Sequence, residues 1–247
     1  MSRYRCDLHI HSCLSPCGDE DMTPGNIVGM ALLNGLNIVA LTDHNSTKNC
    51  PAFFEACKRH GIIPIAGVEL STEEDIHIVC LFEELDDAMR FDKALEAHLM
   101  PIDNRPEIFG EQIILNGEDE PIGEVQRLLI SPTDLPIGDA VRLAKEYNAH
   151  VHPAHIDRET NGIITILGDI PSEYGFKIFE LRERANSERI SSIVEELNEK
   201  NILVCSDAHQ LWNISEAENS FMIDDEPYSS KLVRKRVFEM LEAGELK

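Results

Sequence analysis

Asp7-Leu8-His9-Ile10-His11 near the amino terminus and Ser206-Asp207-Ala208-His209 toward the carboxyl terminus place imidazoles and carboxylates at the ends of two apolar runs. Between them come Thr42-Asp43-His44, Gly67-Val68-Glu69, His77 and Pro153-Ala154-His155, each at or near the end of another such run. A mixed nitrogen and oxygen donor set suits zinc, manganese or iron, and a count well above four exceeds one tetrahedral ion. The chemistry expected is that of two to three divalent ions. Such ions lower the pKa of water toward ~7, and a pair about 4 Å apart stabilises both the entering and the leaving oxygen of an in-line displacement, so that metal-activated hydroxide serves as nucleophile.

For these residues to meet, the fold must bring distant strand ends together. Residues 4 to 11 read as a strand, Thr23-Pro24 as the N-cap and first position of a helix, and Gly35 as its C′ residue. Strands follow at 36–43, 62–70 and 76–82, with a helix over 51–60 closed by Gly61 and another around 84–98. Residues 99–135 break the rhythm with Gly, Pro, Asn and acids, and read as a polar hairpin or insertion around Asn116-Gly117-Glu118-Asp119. The rhythm resumes with a helix near 137–147, strands at 149–155 and 176–181, a helix over 187–200 and a strand at 202–207. Alternation of this kind predicts an α/β fold with a parallel sheet, and about seven such strands suit closure into a barrel whose carboxyl-terminal mouth gathers the ligands. Neither Gly-x-Gly-x-x-Gly nor a P-loop occurs, which argues against a nucleotide-binding open sheet. Strand alternation places Asp7, His9 and His11 on one face.

Composition sets the limits. The chain has 247 residues, 43% of them hydrophobic, enough for one large α/β domain over 1–247. Seven cysteines at irregular spacings, without a secretory signal, predict reduced thiols and a cytoplasmic protein, with Cys13 and Cys17 as loop thiols rather than half of a zinc knuckle. No apolar stretch is long enough to span a bilayer. With 45 acidic against 22 basic residues and a formal charge of -23, general nucleic-acid binding is not expected. A phosphate substrate, if one is used, must be attracted by something other than the bulk surface. His60, His98 and His150 are assigned to the polar surface.

Taken together, His9-x-His11, the Asp19 to Pro24 segment, Thr42-Asp43-His44, Gly67-Val68-Glu69, His77, Pro153-Ala154-His155 and Ser206-Asp207-Ala208-His209 resemble the polymerase and histidinol phosphatase (PHP) superfamily. Residues 108–110 through 156–158 look like its stand-alone metal-dependent phosphoesterase branch. The resemblance implies a distorted (β/α)7 barrel with a trinuclear centre that hydrolyses phosphate esters, and hence a small phosphorylated substrate as partner, attracted locally by the ions. It implies a first ion on His9, His11, Glu69 and Asp207, a second on Asp19, His44 and His209, and a third on Glu69, His77 and His155, with Glu69 bridging. Asp21 is an alternative to Asp19, and His152 a competitor of His155. Arg158 is a candidate phosphate clamp, and Asp7 and Asp43 are expected to orient ligand imidazoles. The other readings are an amidohydrolase-like enzyme or a metal-binding regulatory barrel that has lost its chemistry.

Overall fold

The structure is a computed structural model that describes residues 1–216 and 218–246. Its first half alternates as expected: β1 (Ser2–Asp7), α1 (Pro24–Leu33), β2 (Ile38–Leu41), α2 (Cys50–His60), β3 (Ile63–Ser71), β4 (His77–Phe82) and α3 (Leu85–Leu95). Thr23 caps α1 with its hydroxyl, which accepts from the Asn26 N–H at 3.2 Å, and such a cap contributes about 1 kcal/mol. Gly61, at φ 74°, ends α2 in the left-handed conformation that glycine adopts without strain. The insertion holds α4 (Pro106–Phe109) and a hairpin of β5 (Ile113–Leu115) and β6 (Pro121–Glu124). Asn49 ties the hairpin down, donating to Ile113 O and accepting from the Leu115 N–H. Then follow α5 (Ile137–Glu146), β7 (Ala149–Pro153), α6 (Ile163–Leu167), β8 (Phe179–Leu181), α7 (Ser187–Ser191), β9 (Ile202–Val204), β10 (Asn219–Ile223) and α8 (Ser230–Ala243).

Six strands form one sheet in the order β10-β1-β2-β3-β4-β7, and β8 and β9 pair separately. The sheet is a curled half-barrel. The chain just past β1 and β7 reaches the β8–β9 pair by single backbone hydrogen bonds, His11 N–H to Ala208 O and Ile156 N–H to Glu180 O, and among the described residues edge strand β10 does so only through the Asn219 side chain on Val204, rather than by ladders. The expected all-parallel order is corrected at two places. β4 runs antiparallel to both β3 and β7, and β10 antiparallel to β1. The cause is local: only residues 72–76 separate β3 from β4, and a parallel return needs a crossover of a dozen or more residues. The reversal decides the fate of His77. At the start of an antiparallel strand it pairs with Ser71, at the same rim as the end of β3.

Alternation along the strands separates two cores. Val39, Leu41, Ala66, Val68, Ile78 and Cys80 face outward against the surrounding helices. Cys6, Ile38, Ala40, Ile63, Ile65 and Leu81 face inward, with Val233, Val237 and Leu241 of α8 packed against them. The inward register of β3 continues through Gly67 to Glu69, and that of β9 through Cys205 to Asp207. The helix expected over 187–200 is a single short α7 followed by turns. All seven cysteines are unpaired thiols, and no helix among the described residues is long and apolar enough to cross a membrane.

Candidate metal centre

Glu69 ends the inward-facing series of β3 and is fully buried. Its Oε1 lies 2.8 Å from His77 Nδ1 and 3.0 Å from His155 Nε2. Its Oε2 lies 3.4, 3.2 and 3.1 Å from His9 Nε2, His11 Nε2 and His44 Nδ1. Asp207 Oδ1 stands 3.2 Å from His11 Nε2 and 3.6 Å from His9 Nε2. Yet Glu69 Oε2, Asp207 Oδ1 and His44 Nδ1 are buried with no partner in hydrogen-bond geometry. Donor atoms crowded at contact distance but not aimed for hydrogen bonds are what a cation converts into coordination.

Three donor sets converge within 4.8 Å: His9, His11, Glu69 and Asp207; His11, His44 and His209; and His44, Glu69 and His77. The residues present therefore fit divalent ions. Asp19 is not brought in. Its Oδ1 accepts from the Asp21 N–H, and its own N–H donates to His209 O, so it braces the loop that carries His209. Asp21 is exposed and joins no donor set. Gly18 allows that brace, because a Cβ there would lie 2.2 Å from Ser12 O. His155 touches Glu69 but lies outside the three sets, while His152 meets Glu180 instead, 3.6 Å away.

The backbone bends where the site is built. Asn45, His155 and Asp207 have φ of 49, 27 and 49°, the left-handed region that costs non-glycine residues about 1–3 kcal/mol. β1 also ends at Asp7, so simple alternation does not carry through to the site. Leu8 belongs to the inner core and Ile10 to the outer one. Asp7 is turned away and accepts from Ser206 N–H and from the backbone and hydroxyl of Ser215, not from an imidazole. Asp43 acts at one remove, accepting from Ser15, whose Oγ is 3.1 Å from His11 Nδ1. The carboxylate that does hold a ligand imidazole is Glu180, whose oxygens lie 2.9 and 3.1 Å from His9 Nδ1. Sequence reasoning passed over it. Its signal was an acid between Phe179 and Leu181 in a short apolar run, inward while its neighbours face out. His150 is buried rather than superficial, with Nδ1 2.9 Å from Glu242 Oε1, whereas His60 is exposed.

Electrostatics follow from this crowding. Burial alone would raise Glu69 and Asp207, but the facing imidazoles outweigh it and hold both well below the usual carboxylate range. Burial likewise opposes charge on His11, yet Asp207 and Glu69 raise it to about 9, while burial beside His11 lowers His209 to about 4. Arg158 and Arg182 both donate to Asp207 Oδ2, at 2.9 and 3.1 Å. They line an open cleft that also carries Asp157, Glu159, Glu183 and His209, so acids outnumber arginines there. Arg182 is thus a second arginine on Asp207 at the cleft, and nothing in its sequence context marked it.

A half-barrel with a buried donor cluster at its rim and two arginines in the cleft beside it is an α/β fold suited to holding divalent ions. The chain belongs to the PHP domain family, whose model matches residues 7–204. It is 40% identical over 78 residues to a 5'-3' exoribonuclease of Haemophilus influenzae, a match covering 30% of this chain and 27% of that protein. Among solved structures it resembles endonuclease Q of Pyrococcus furiosus at a TM-score of 0.61 and 19% identity, over 95% of this chain and 55% of that one. Endonuclease Q bound to a 27-mer duplex with an abasic lesion at the active site gives 0.58 and 19%, over 96% and 57% of the two chains. An amidohydrolase of Chromobacterium violaceum with bound sulfate gives 0.54 and 19%, over 98% of each chain. These relatives correct the expectation that nucleic acid lies outside the chain's partners. That expectation took the average charge of the surface for the charge of the mouth, where the donor cluster and two arginines stand.

Proposed function

We propose that the chain is a metal-dependent phosphoesterase acting on nucleic-acid phosphoesters, either a strand terminus or a nucleotide released from one. The observation that carries this reading is the pair Arg158 and Arg182, which share Asp207 Oδ2 and open onto the cleft beside the donor cluster. Asp157, Glu159, Glu183 and Asp207 share the lining, so the cleft becomes net positive only with ions bound, while the two guanidinium forks supply the geometry that matches phosphate oxygens. The nuclease activity of the exoribonuclease relative points the same way.

Two or three divalent ions of manganese, zinc or iron, when bound, supply an activated water and charge for the leaving oxygen. The chain's own residues do the rest. Glu69 bridges the donor sets, and Asp207 joins the cluster to the cleft through its two oxygens. Arg158 and Arg182 keep a donor face toward the cleft and orient the phosphoryl group. His209, 25% exposed in its side chain, is the ligand imidazole nearest solvent and faces the entering substrate. Glu180 fixes His9 with its Nδ1 proton inward, so that Nε2 faces the cluster.

The test is a substrate panel on manganese-loaded protein: 5'-phosphorylated RNA and DNA oligomers, nucleoside monophosphates and p-nitrophenyl phosphate, with products resolved by length and phosphate release. Turnover of a nucleic-acid or nucleotide phosphoester, lost on chelation, is expected. Full metal content with hydrolysis of amide substrates alone would overturn the reading.

A further inference from the structure

Asn49 stands at the N-cap position of α2, where an asparagine ordinarily lends its side-chain oxygen to the first turn, yet its side chain makes no capping bond. It is fully buried and spends its amide elsewhere. The oxygen accepts the Leu115 N–H of β5 at 2.9 Å, while the nitrogen donates to Ile113 O at 3.2 Å and to Ser12 Oγ at 3.0 Å. One side chain thus holds both the hairpin of the insertion and the loop that follows His11.

From Ser12 the bonds run on through buried residues to the ligands themselves. Ser12 donates its backbone N–H and its hydroxyl to the two oxygens of Asp43, each at 2.7 Å. Ser15 also gives its hydroxyl proton to Asp43, at 2.7 Å, which leaves its Oγ as an acceptor, 3.0 Å from His44 N and 3.1 Å from His11 Nδ1. At the far end of the insertion Asn45, next to His44, donates to Leu129 O and Ser131 O and accepts the Ser71 N–H. The entry and the exit of the insertion are therefore both fastened to residues that directly follow ligand histidines. A buried network of this kind has few alternatives, because displacing one member leaves another unpaired. Asn49 also holds two walls of a cavity of about 630 Å³, formed by Ile113 and Leu115 on one side and by Cys13 and Gly18 on the other.

We propose that Asn49 is a positioning residue of the metal centre: it couples the β5–β6 hairpin to His11 and His44, so that metal uptake and hairpin docking stabilise one another. Coupling between two sites is reciprocal in free energy. A docked hairpin keeps the Ser12, Asp43 and Ser15 chain in place for the two imidazoles, and an ion that fixes the imidazoles fixes the hairpin in return. Metal loading then also sets the cavity wall that Ile113 and Leu115 form. The inference rests on ion binding at His11 and His44, so the zinc content of each sample is measured alongside.

Hydrogen exchange of the hairpin amides, read in zinc-free and zinc-loaded protein, tests it. In the wild type, zinc is expected to slow exchange over 113–124 by roughly tenfold relative to α8, which takes no part in the network, within the ~5–150-fold range of coupled sites. Ser12→Ala cuts the chain to the ligands but leaves both bonds from Asn49 to the hairpin. Its zinc-free hairpin should exchange as in wild type, with the zinc effect falling below about threefold. Asn49→Ala is expected to speed hairpin exchange and to weaken zinc in chelator competition by ~10–100-fold, the range for partners that hold ligands. Hairpin exchange that is the same with and without zinc in a zinc-replete wild-type sample overturns the proposal. So does a full zinc effect in Ser12→Ala, which would make Asn49 a tie for the hairpin and nothing more. A sample that takes up no zinc indicts the metal reading instead. If Asn49→Ala does not fold, the comparison of wild type with Ser12→Ala decides.

Discussion

Glu69 is the residue on which the centre turns, because both of its oxygens lie within 3.4 Å of imidazole nitrogens from four elements of the chain. Its negative charge screens the mutual repulsion of neighbouring cations, which an amide of the same shape cannot do. Glu69→Gln is expected to lower metal affinity by at least ~10–100-fold, the range known for the outer partners of ligands, and to abolish turnover with the fold intact. Metal analysis beside circular dichroism checks this, and near-normal metal content would show that Glu69 does not bridge. Arg182 makes a different kind of contribution. It shares Asp207 with Arg158, so its loss leaves that carboxylate one guanidinium partner. Arg182→Ala should therefore keep its metal but raise KM by ~10–100-fold, the worth of one charge-assisted hydrogen bond of about 1.5–3 kcal/mol to phosphate. Steady-state kinetics with metal counting separates the two effects, and Lys at 182 should rescue only part, because a point charge does not reproduce the fork.

At the scale of elements, β7 and α8 are joined inside the half-barrel by His150 and Glu242. His150 is buried and held near 4, so it is neutral in the folded chain at neutral pH, while in the unfolded chain it titrates at about 6.5. The unfolded state then binds the extra proton first as pH falls. The stability His150 confers is complete above about pH 6.5 and is lost as pH drops toward 4, by an amount on the order of 3 kcal/mol. Denaturant unfolding of His150→Gln across that window should show a shallower acid decline than wild type, and parallel curves would refute the assignment. The acid limb was not legible in the sequence, where His150 looks like any polar residue near a strand start; only the inward register of β7 and the packing of α8 reveal it. Other elements were legible because they carry local chemistry. Thr23-Pro24 and Gly61 mark helix ends through hydrogen bonding and backbone freedom, and the histidines and acids at run ends mark the rim. What stayed hidden depends on partners far along the chain: the reversal of β4, the turning away of Asp7, the selection of Glu180 for His9, and the pairing of Arg182 with Asp207. The short loop at 72–76 did hold the first of these in plain view, since five residues cannot return a parallel strand.

For the molecule as a whole, the decisive contrast is between a surface of charge -23 and a mouth whose donor cluster would hold divalent ions with two arginines beside it. A protein that grips a nucleic acid along its backbone releases many counterions, and its affinity falls by roughly 10³–10⁵ when salt rises from about 50 to about 200 mM with 6–10 phosphate contacts. On the proposed reading this chain offers a strand two arginines at the cleft, while the carboxylates in the cleft and over the surface repel the remainder of it. Engagement is then confined to the phosphate at the centre and its immediate neighbour. With about two contacts on a single strand, the slope of log K against log salt is near −1.4, so the same rise in salt should increase KM by less than about tenfold. Screening of the acidic surface works in the opposite direction and flattens the dependence further, because the long-range repulsion that slows encounter weakens as the Debye length shrinks. The measurement is KM for a 5'-phosphorylated oligomer and for the matching mononucleotide across that range. Nearly superimposable, shallow curves are expected for the two. A steep decline seen only with the oligomer would mean that an extended track of phosphate contacts exists away from the cleft, and that the acidic surface does not confine recognition to the mouth.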